Sequence, residues 1–232
     1  MNPPNCQKDR CILVFLKVPQ KSVVKTRLAK VLGQGAAAGL YQNFVFDLLD
    51  TLNSGCFRFT ICFHPPQARS EVADWLGHPY PVLPQQGNNL GERMANAFKQ
   101  AFSQGFRHVL LVGTDFPDLP AAILDQAFNN LPENNGVIGP STDGGYYLIG
   151  FNRNTFLPAV FDEMPWGTET VFEKTLKVFN SNRHKIHVLP KWRDIDTFED
   201  LEFFIKTYSP KKSRASKTAA YLKSIGFDLK SA

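Results

Sequence analysis

Short apolar runs of strand length alternate with segments whose apolar residues recur three and four apart. This alternation confines the chain to the α/β class. CILVFLKV (11–18) is an apolar run closed by Pro19 and suits a buried strand. From Gly35 to Leu52, Leu40, Phe44, Val45, Leu48, Leu49 and Leu52 form a helical stripe. Phe57, Phe59, Ile61 and Phe63 alternate with polar partners up to His64, which is strand periodicity, and Pro65-Pro66 closes it. Residues 67–76 read as a short helix. Leu90 to Gln104 is a longer one, with Gly105 at its end. HVLLVG (108–113) is a buried strand, and Pro120 opens the next helix. GVIGP (136–140) and YYLIGF (146–151) read as strands, Thr168 to Asn180 as a helix and KIHVLP (185–190) as a strand. Thr197-Phe198-Glu199-Asp200 is a variant capping box opening the last body helix. Repeated strand–helix units of this length predict a largely parallel sheet covered on both faces. No internal repeat is present. Residues 1–208 read as one domain and 209–232 as a basic tail, with SPKKSRASK (209–217) as linker and a short docking helix within 219–229.

Composition narrows the class further. Hydrophobic residues make up 43% of the 232, including 20 Phe, so a sizeable core is available and disorder is excluded. No apolar run approaches the ~20 residues of a membrane span, and MNPPNCQKDR does not read as a signal peptide. Cys6, Cys11, Cys56 and Cys62 form neither a CxxC pair nor a disulfide framework, which suits a reducing cytoplasm. The net charge of +5 is unevenly spread. Seven Lys and Arg residues and a single acid, Asp228, fall from Lys206 onward, leaving 19 basic and 20 acidic residues before them. The body is therefore neutral. The tail reads as a solvated terminus, and without aromatic interleaving no nucleic-acid partner is expected.

In open α/β sheets, ligands bind outside the carboxyl ends of the strands. Four chemically loaded segments follow strands here: PQKSVVKTRL (19–28), TDFPDLP (114–120), STDGGYY (141–147) and KWRDIDT (191–197). In the first, Lys17, Lys21, Lys25 and Arg27 crowd a strand end just before a helix. That arrangement suits a polyphosphate, and equally a solvated basic loop. Asp115 follows an all-apolar strand, so its carboxylate is poised at the rim, to hold a divalent cation such as Mg²⁺ or to cap the Pro120 helix, for which Asp118 is better placed. Asp194 and Asp196 flank Ile195, so in extended chain both carboxylates face one side, toward a metal site or toward the next helix N-terminus. Gly144-Gly145 permits close approach to a ligand, or makes a plain turn. Trp166 stacks on a ring or fills core, and Thr168 is placed to cap a helix. Arg93, in the helix opened by Leu90-Gly91, reaches phosphate or a neighbouring acid. The five histidines show no ligand spacing and read as ordinary, and no nucleophile motif appears.

Taken in order, VFLKVP…VKTRL, QGNNLGERM, GTDFPDL, GPSTDGGYYLIG, PWGTETVF and DIDTFEDL resemble a bacterial family of GT-A-like, glycosyltransferase-like proteins associated with radical-SAM/selenodomain proteins. That family is similar to molybdenum-cofactor and phospholactate guanylyltransferases. The resemblance runs from about Cys11 to Phe204. It implies a three-layer α/β/α GT-A fold, that of the nucleotide-diphospho-sugar transferases, with a mostly parallel mixed sheet. It implies a nucleoside triphosphate or nucleotide-sugar held at Lys17, Lys25, Thr26, Arg27, Gly91 and Arg93. It implies Mg²⁺ or Mn²⁺ at Asp115 and Asp196, with Asp194 beside them. An unknown small-molecule acceptor would sit near Asp143, Gly144, Gly145, Tyr146, Trp166, Gly167 and Thr168. Asp115, Asp143 and Asp196 would then be catalytic, with Asp143 the base for a hydroxyl acceptor. Two departures stand out: Ser22 replaces the glycine usual in the family's P-x-x-G-x-V-K-T-R-L pattern, and an Asp-x-Asp pair is absent. Ser22 leaves a second reading open, a non-catalytic nucleotide- or sugar-binding module on the same fold.

Overall fold

The computed structural model describes residues 8–20, 22–209 and 215–229. Seven strands form one sheet in the order β3-β2-β1-β4-β6-β5-β7. They are β1 (Arg10–Lys17), β2 (Phe59–His64), β3 (Val82–Pro84), β4 (His108–Val112), β5 (Gly136–Pro140), β6 (Tyr146–Asn152) and β7 (Ile186–Val188). Strands β3, β2, β1 and β4 run parallel, as do β5 and β7. Only β6 is antiparallel, inserted between β4 and β5. Every other strand therefore ends at the same rim, and β6 begins there.

The apolar runs are buried on both faces because helices cover both. The helices are α1 (Thr26–Leu32), α2 (Gln34–Ser54), α3 (Arg69–Leu76), α4 (Leu90–Ser103), α5 (Ala121–Asn130), α6 (Val171–Ser181), α7 (Phe198–Thr207) and α8 (Ser216–Ser224). Along β1, Ile12, Val14 and Leu16 pack with α2, α3 and α5 residues such as Leu48, Val72 and Leu124. Cys11, Leu13 and Phe15 pack on the other face with Met94 and Phe98 of α4 and Phe179 of α6. A third cluster joins α1, α2, α7 and α8 through Leu28, Phe44, Ile195, Leu201 and Leu222. Burying one large aliphatic or aromatic side chain contributes roughly 1.5–3 kcal/mol, so these clusters carry the fold. No helix among the described residues is long and apolar enough to cross a membrane.

Several local expectations need correction. The stripe from Gly35 belongs to α2, but a separate α1 precedes it, and Gly33 at φ +79 makes the break. β3 was not foreseen, because three residues beside prolines carry no periodicity. β2 starts at Phe59, since Cys56 at φ 57 turns the chain just before Phe57. Asp118 does not cap α5: Pro120 holds the N-cap position and Asp118 accepts the Trp192 indole N–H at 3.0 Å. Thr168 does not cap α6 either, since the helix begins at Val171 and the Thr168 hydroxyl donates to the Pro165 carbonyl at 2.9 Å. The Thr197–Asp200 capping box forms as the sequence predicts. The docking helix forms as α8 but starts at Ser216, inside the segment read as linker, of which residues 210–214 lie outside the described residues. Buried Asp47 accepts the N–H groups of Lys217 and Thr218 at 2.9 and 2.8 Å.

Candidate active site

The loop after β1 turns inward at Lys25. This residue is left-handed (φ 51, ψ 47) and its side chain is only 3% exposed. Its Nζ lies 2.6 Å from Asp115 Oδ1 and 3.8 Å from Asp196 Oδ1, and donates to the Ile195 carbonyl at 2.7 Å. Asp115 comes from the end of β4 and Asp196 from the segment between β7 and α7. Both therefore reach the one ammonium, and the sum of those two separations bounds the distance between their oxygens. Arg27, the second residue of α1, closes the group with a 3.1 Å pair to Asp196 Oδ2.

A cavity of about 350 Å³ opens above this group. Lys17, Lys25, Thr26, Arg93, Asp115 and Asp196 line it, with apolar Val23 and Leu90 on its walls. Val23 is 60% and Leu90 41% exposed. The floor is held by Tyr41, whose buried hydroxyl accepts the Lys17 N–H at 2.9 Å and the Thr114 hydroxyl at 3.2 Å. Burial pushes that phenol up, so it stays protonated. Two further residues reach the cavity that the sequence did not single out. Buried Gln85 follows β3 and donates from Nε2 to the Leu16 and Cys62 carbonyls at 3.2 and 2.7 Å. His64 ends β2 and was read as ordinary. Burial first, then Arg93 and Lys17, lower its pKa and keep its ring neutral. His64 closes its strand at the same rim as Asp115, but β2 alternates apolar and polar residues, so no apolar run points to it.

A second cavity, of about 270 Å³, lies on the other side of Asp115. Asp143, Gly145, Tyr146, Trp166, Gly167, Thr168 and Asp194 line it. Tyr146 and Trp166 meet edge-on with centroids 6.3 Å apart. Asp143 Oδ1 accepts the Gly145 N–H at 2.8 Å and the Ser141 hydroxyl. Asp194 is buried and accepts from the Thr142 hydroxyl at 3.2 Å. Burial and the neighbouring Asp143 raise its carboxyl to about 6. A wider basin containing Arg27, Asp143, Arg193, Asp194 and Asp196 joins the two cavities.

Most expected site residues thus meet at one rim, though not all in their expected roles. Asp194 turns to Thr142 and Asp143, whereas Asp196 turns to Lys25 and Arg27. Gly91 is buried and closely packed: a Cβ there would meet the Phe161 carbonyl and the Trp166 ring. Gly144, at φ +87, lies against the backbone of Glu169, and its carbonyl accepts the Phe172 N–H at 2.9 Å, so it docks the loop onto α6. Lys21 lies outside the described residues. Among the described residues, no three His, Cys, Asp or Glu side chains group as a metal cluster. The Asp115 and Asp196 carboxylates do offer the hard oxygen donors that Mg²⁺ or Mn²⁺ takes from protein alongside phosphate oxygens.

Residues 48–168 match a family described as an uncharacterized protein conserved in bacteria (DUF2064). Among solved structures, a Desulfovibrio desulfuricans G20 protein, provisionally described as a nucleotide-diphospho-sugar transferase, is 38% identical. The match covers 94% of this chain and 96% of that one, with a TM-score of 0.86. The 4-diphosphocytidyl-2C-methyl-D-erythritol synthase of Anaerococcus prevotii DSM 20548 is 13% identical over 84% of this chain and 96% of its own, with a TM-score of 0.54. The inositol-1-phosphate CTP transferase of T. maritima is 14% identical over 94% and 98%, with a TM-score of 0.51. These last two share the fold alone. No curated protein matches the chain.

Proposed function

We propose that this chain, which belongs to the family described as an uncharacterized protein conserved in bacteria (DUF2064), is a transferase drawing its donor from a nucleotide. Its fold is that of the nucleotide-diphospho-sugar transferases. One observation carries the reading: the Lys25–Asp115 pair sits where a cation-lined cavity meets an aromatic-lined one.

In this reading the first cavity takes the nucleotide. Val23 and Leu90 offer apolar faces to a planar ring, while Lys17, Lys25 and Arg93 meet phosphate oxygens and Arg27 stands at the rim. Fixed cations on those oxygens stabilise negative charge as it develops on the transferred or departing phosphate. Asp115 and Asp196 would hold a divalent ion, which supplies further charge neutralisation to the diphosphate when bound. The second cavity takes the acceptor, flanked by Tyr146 and Trp166 and bounded by Asp143. Asp143 is the candidate base for a hydroxyl acceptor, its Oδ1 already oriented by Gly145 and Ser141. A phosphate acceptor would need no base. The residues chiefly position the two substrates across Asp115.

Calorimetry with GTP, CTP, ATP, UDP-glucose and GDP-mannose, each with and without Mn²⁺, tests this. Saturable binding of one of them is expected, followed by turnover once an acceptor is supplied. Released pyrophosphate would identify nucleotidyl transfer, and a released nucleoside diphosphate glycosyl transfer. Binding without turnover would identify a binding module, and no binding to any would overturn the reading.

A further inference from the structure

We propose that Lys25 is a resident counter-ion that keeps the Asp115–Asp196 carboxylates closed to a divalent cation until donor phosphates draw its ammonium away. The inference rests on the proposed donor cavity and adds an order of events to it.

Charge balance is the first argument. Lys25, Arg27, Asp115 and Asp196 form a contiguous group of two cations and two carboxylates. The group is electrically neutral, so a bare divalent ion meets no net attraction there. Hydrogen bonding is the second. An ammonium has three N–H donors. Lys25 Nζ gives two of them to Asp115 Oδ1 and the Ile195 carbonyl, and holds Asp196 Oδ1 at 3.8 Å as an ion pair beyond hydrogen-bond distance. The third N–H is the one a phosphate oxygen can take, which draws the ammonium off Asp196 first. Exposure is the third. The Lys25 side chain is 3% exposed, but those of Asp115 and Asp196 are 43% and 35%. The carboxylates face the cavity while the lysine neutralises them from beneath. Its left-handed backbone, which residues with a Cβ rarely adopt, aims the side chain inward. Lys17, Arg93 and Arg27 stand around the opening, so a polyphosphate enters beside Lys25 and changes the balance in favour of a cation.

Removing the ammonium should therefore create a metal site that needs no nucleotide. Titration of Mn²⁺ alone, followed by the electron paramagnetic resonance signal of the free ion, measures this on the full chain. Lys25→Met is expected to bind Mn²⁺ with a Kd at least about tenfold below that of the native protein, and adding Asp196→Asn to it should return the Kd to the native range. Lys25→Gly is the second variant. Glycine takes the left-handed conformation without penalty, so its backbone gain offsets the lost pair and protects folding. Circular dichroism establishes that each variant is folded. If folded Lys25→Met or Lys25→Gly binds Mn²⁺ no more tightly than the native chain, the inference is wrong. Tighter Mn²⁺ binding together with no nucleotide binding in the calorimetric panel would keep the counter-ion role of Lys25 and overturn the donor reading together with the phosphate trigger.

Discussion

The backbone N–H of Ile195 donates to the carbonyl of Asp115 at 3.0 Å. This bond makes the loops after β4 and β7 a single unit. It holds Asp196, one residue past Ile195, on the same side as the Asp115 carboxylate, and it fixes the Ile195 carbonyl that Lys25 uses. The junction of the two cavities is thus set by backbone as well as by charge.

The exposed half of that junction should be needed for turnover and little needed for folding. Asp115→Asn keeps the shape and removes the charge. Transfer with the donor identified by calorimetry is expected to fall about a hundredfold or more, on the scale of losing one aligned electrostatic group. The urea midpoint should fall only modestly: buried Lys25 loses a charge partner, but the amide oxygen can still accept from it and it keeps the Ile195 carbonyl. A variant with native turnover would remove Asp115 from the mechanism.

Gly91 should behave as a packing residue. A Cβ at this position meets the Phe161 carbonyl and the Trp166 ring, so Gly91→Ala overpacks the start of α4. The expected cost is roughly 1–3 kcal/mol in urea unfolding. Donor affinity should stay within a few-fold of native. A loss of donor affinity with unchanged stability would instead mark Gly91 as a phosphate contact.

Asp47 should anchor α8. It accepts two N–H groups from the first turn of that helix and is fully buried. Asp47→Ala leaves both donors without their acceptor, at a cost of roughly 1–3 kcal/mol. Amide exchange across residues 216–224 should accelerate more than in the sheet. Uniform acceleration across the chain would show that α8 unfolds only with the whole molecule.

Asp194 should make stability depend on pH in a defined direction. Its carboxyl is raised from 3.8 to about 6, chiefly by burial and then by Asp143. The folded state thus holds this proton more tightly than the unfolded chain. The resulting contribution is fully present below about pH 4 and is lost as pH rises through 6. It amounts to up to about 3 kcal/mol. Asp194→Asn cannot lose it, so native stability relative to the variant should decline between pH 4 and 7 in urea titrations. Parallel profiles would show that Asp194 keeps an ordinary carboxyl pKa.

Much of the site was legible because one rule exposes it: a polar residue that ends an apolar strand stands at the ligand-binding rim. Asp115 after HVLLVG follows that rule, and so do Lys17 after CILVFL and the DIDT segment after KIHVLP. Gln85 escaped it because β3 has only three residues and no period. His64 escaped it because the strand it ends alternates apolar and polar residues. The buried state of Lys25 was not legible either. Four basic residues in one loop look solvated, and only packing against Phe44 and Ile195 takes this one out of water.

The amino-acid order by itself determined which segments became strands and helices, and that the loaded loops follow strand ends. Those properties depend on neighbours a few residues away, through side-chain periodicity and the backbone limits of proline and glycine. Only the tertiary structure decided that β6 runs against its neighbours, that residues 216–224 dock on Asp47, and that Lys25 meets a carbonyl 170 residues away. Such pairings are selected by the whole core at once, because a buried charge is tolerated only where distant chain supplies its partners.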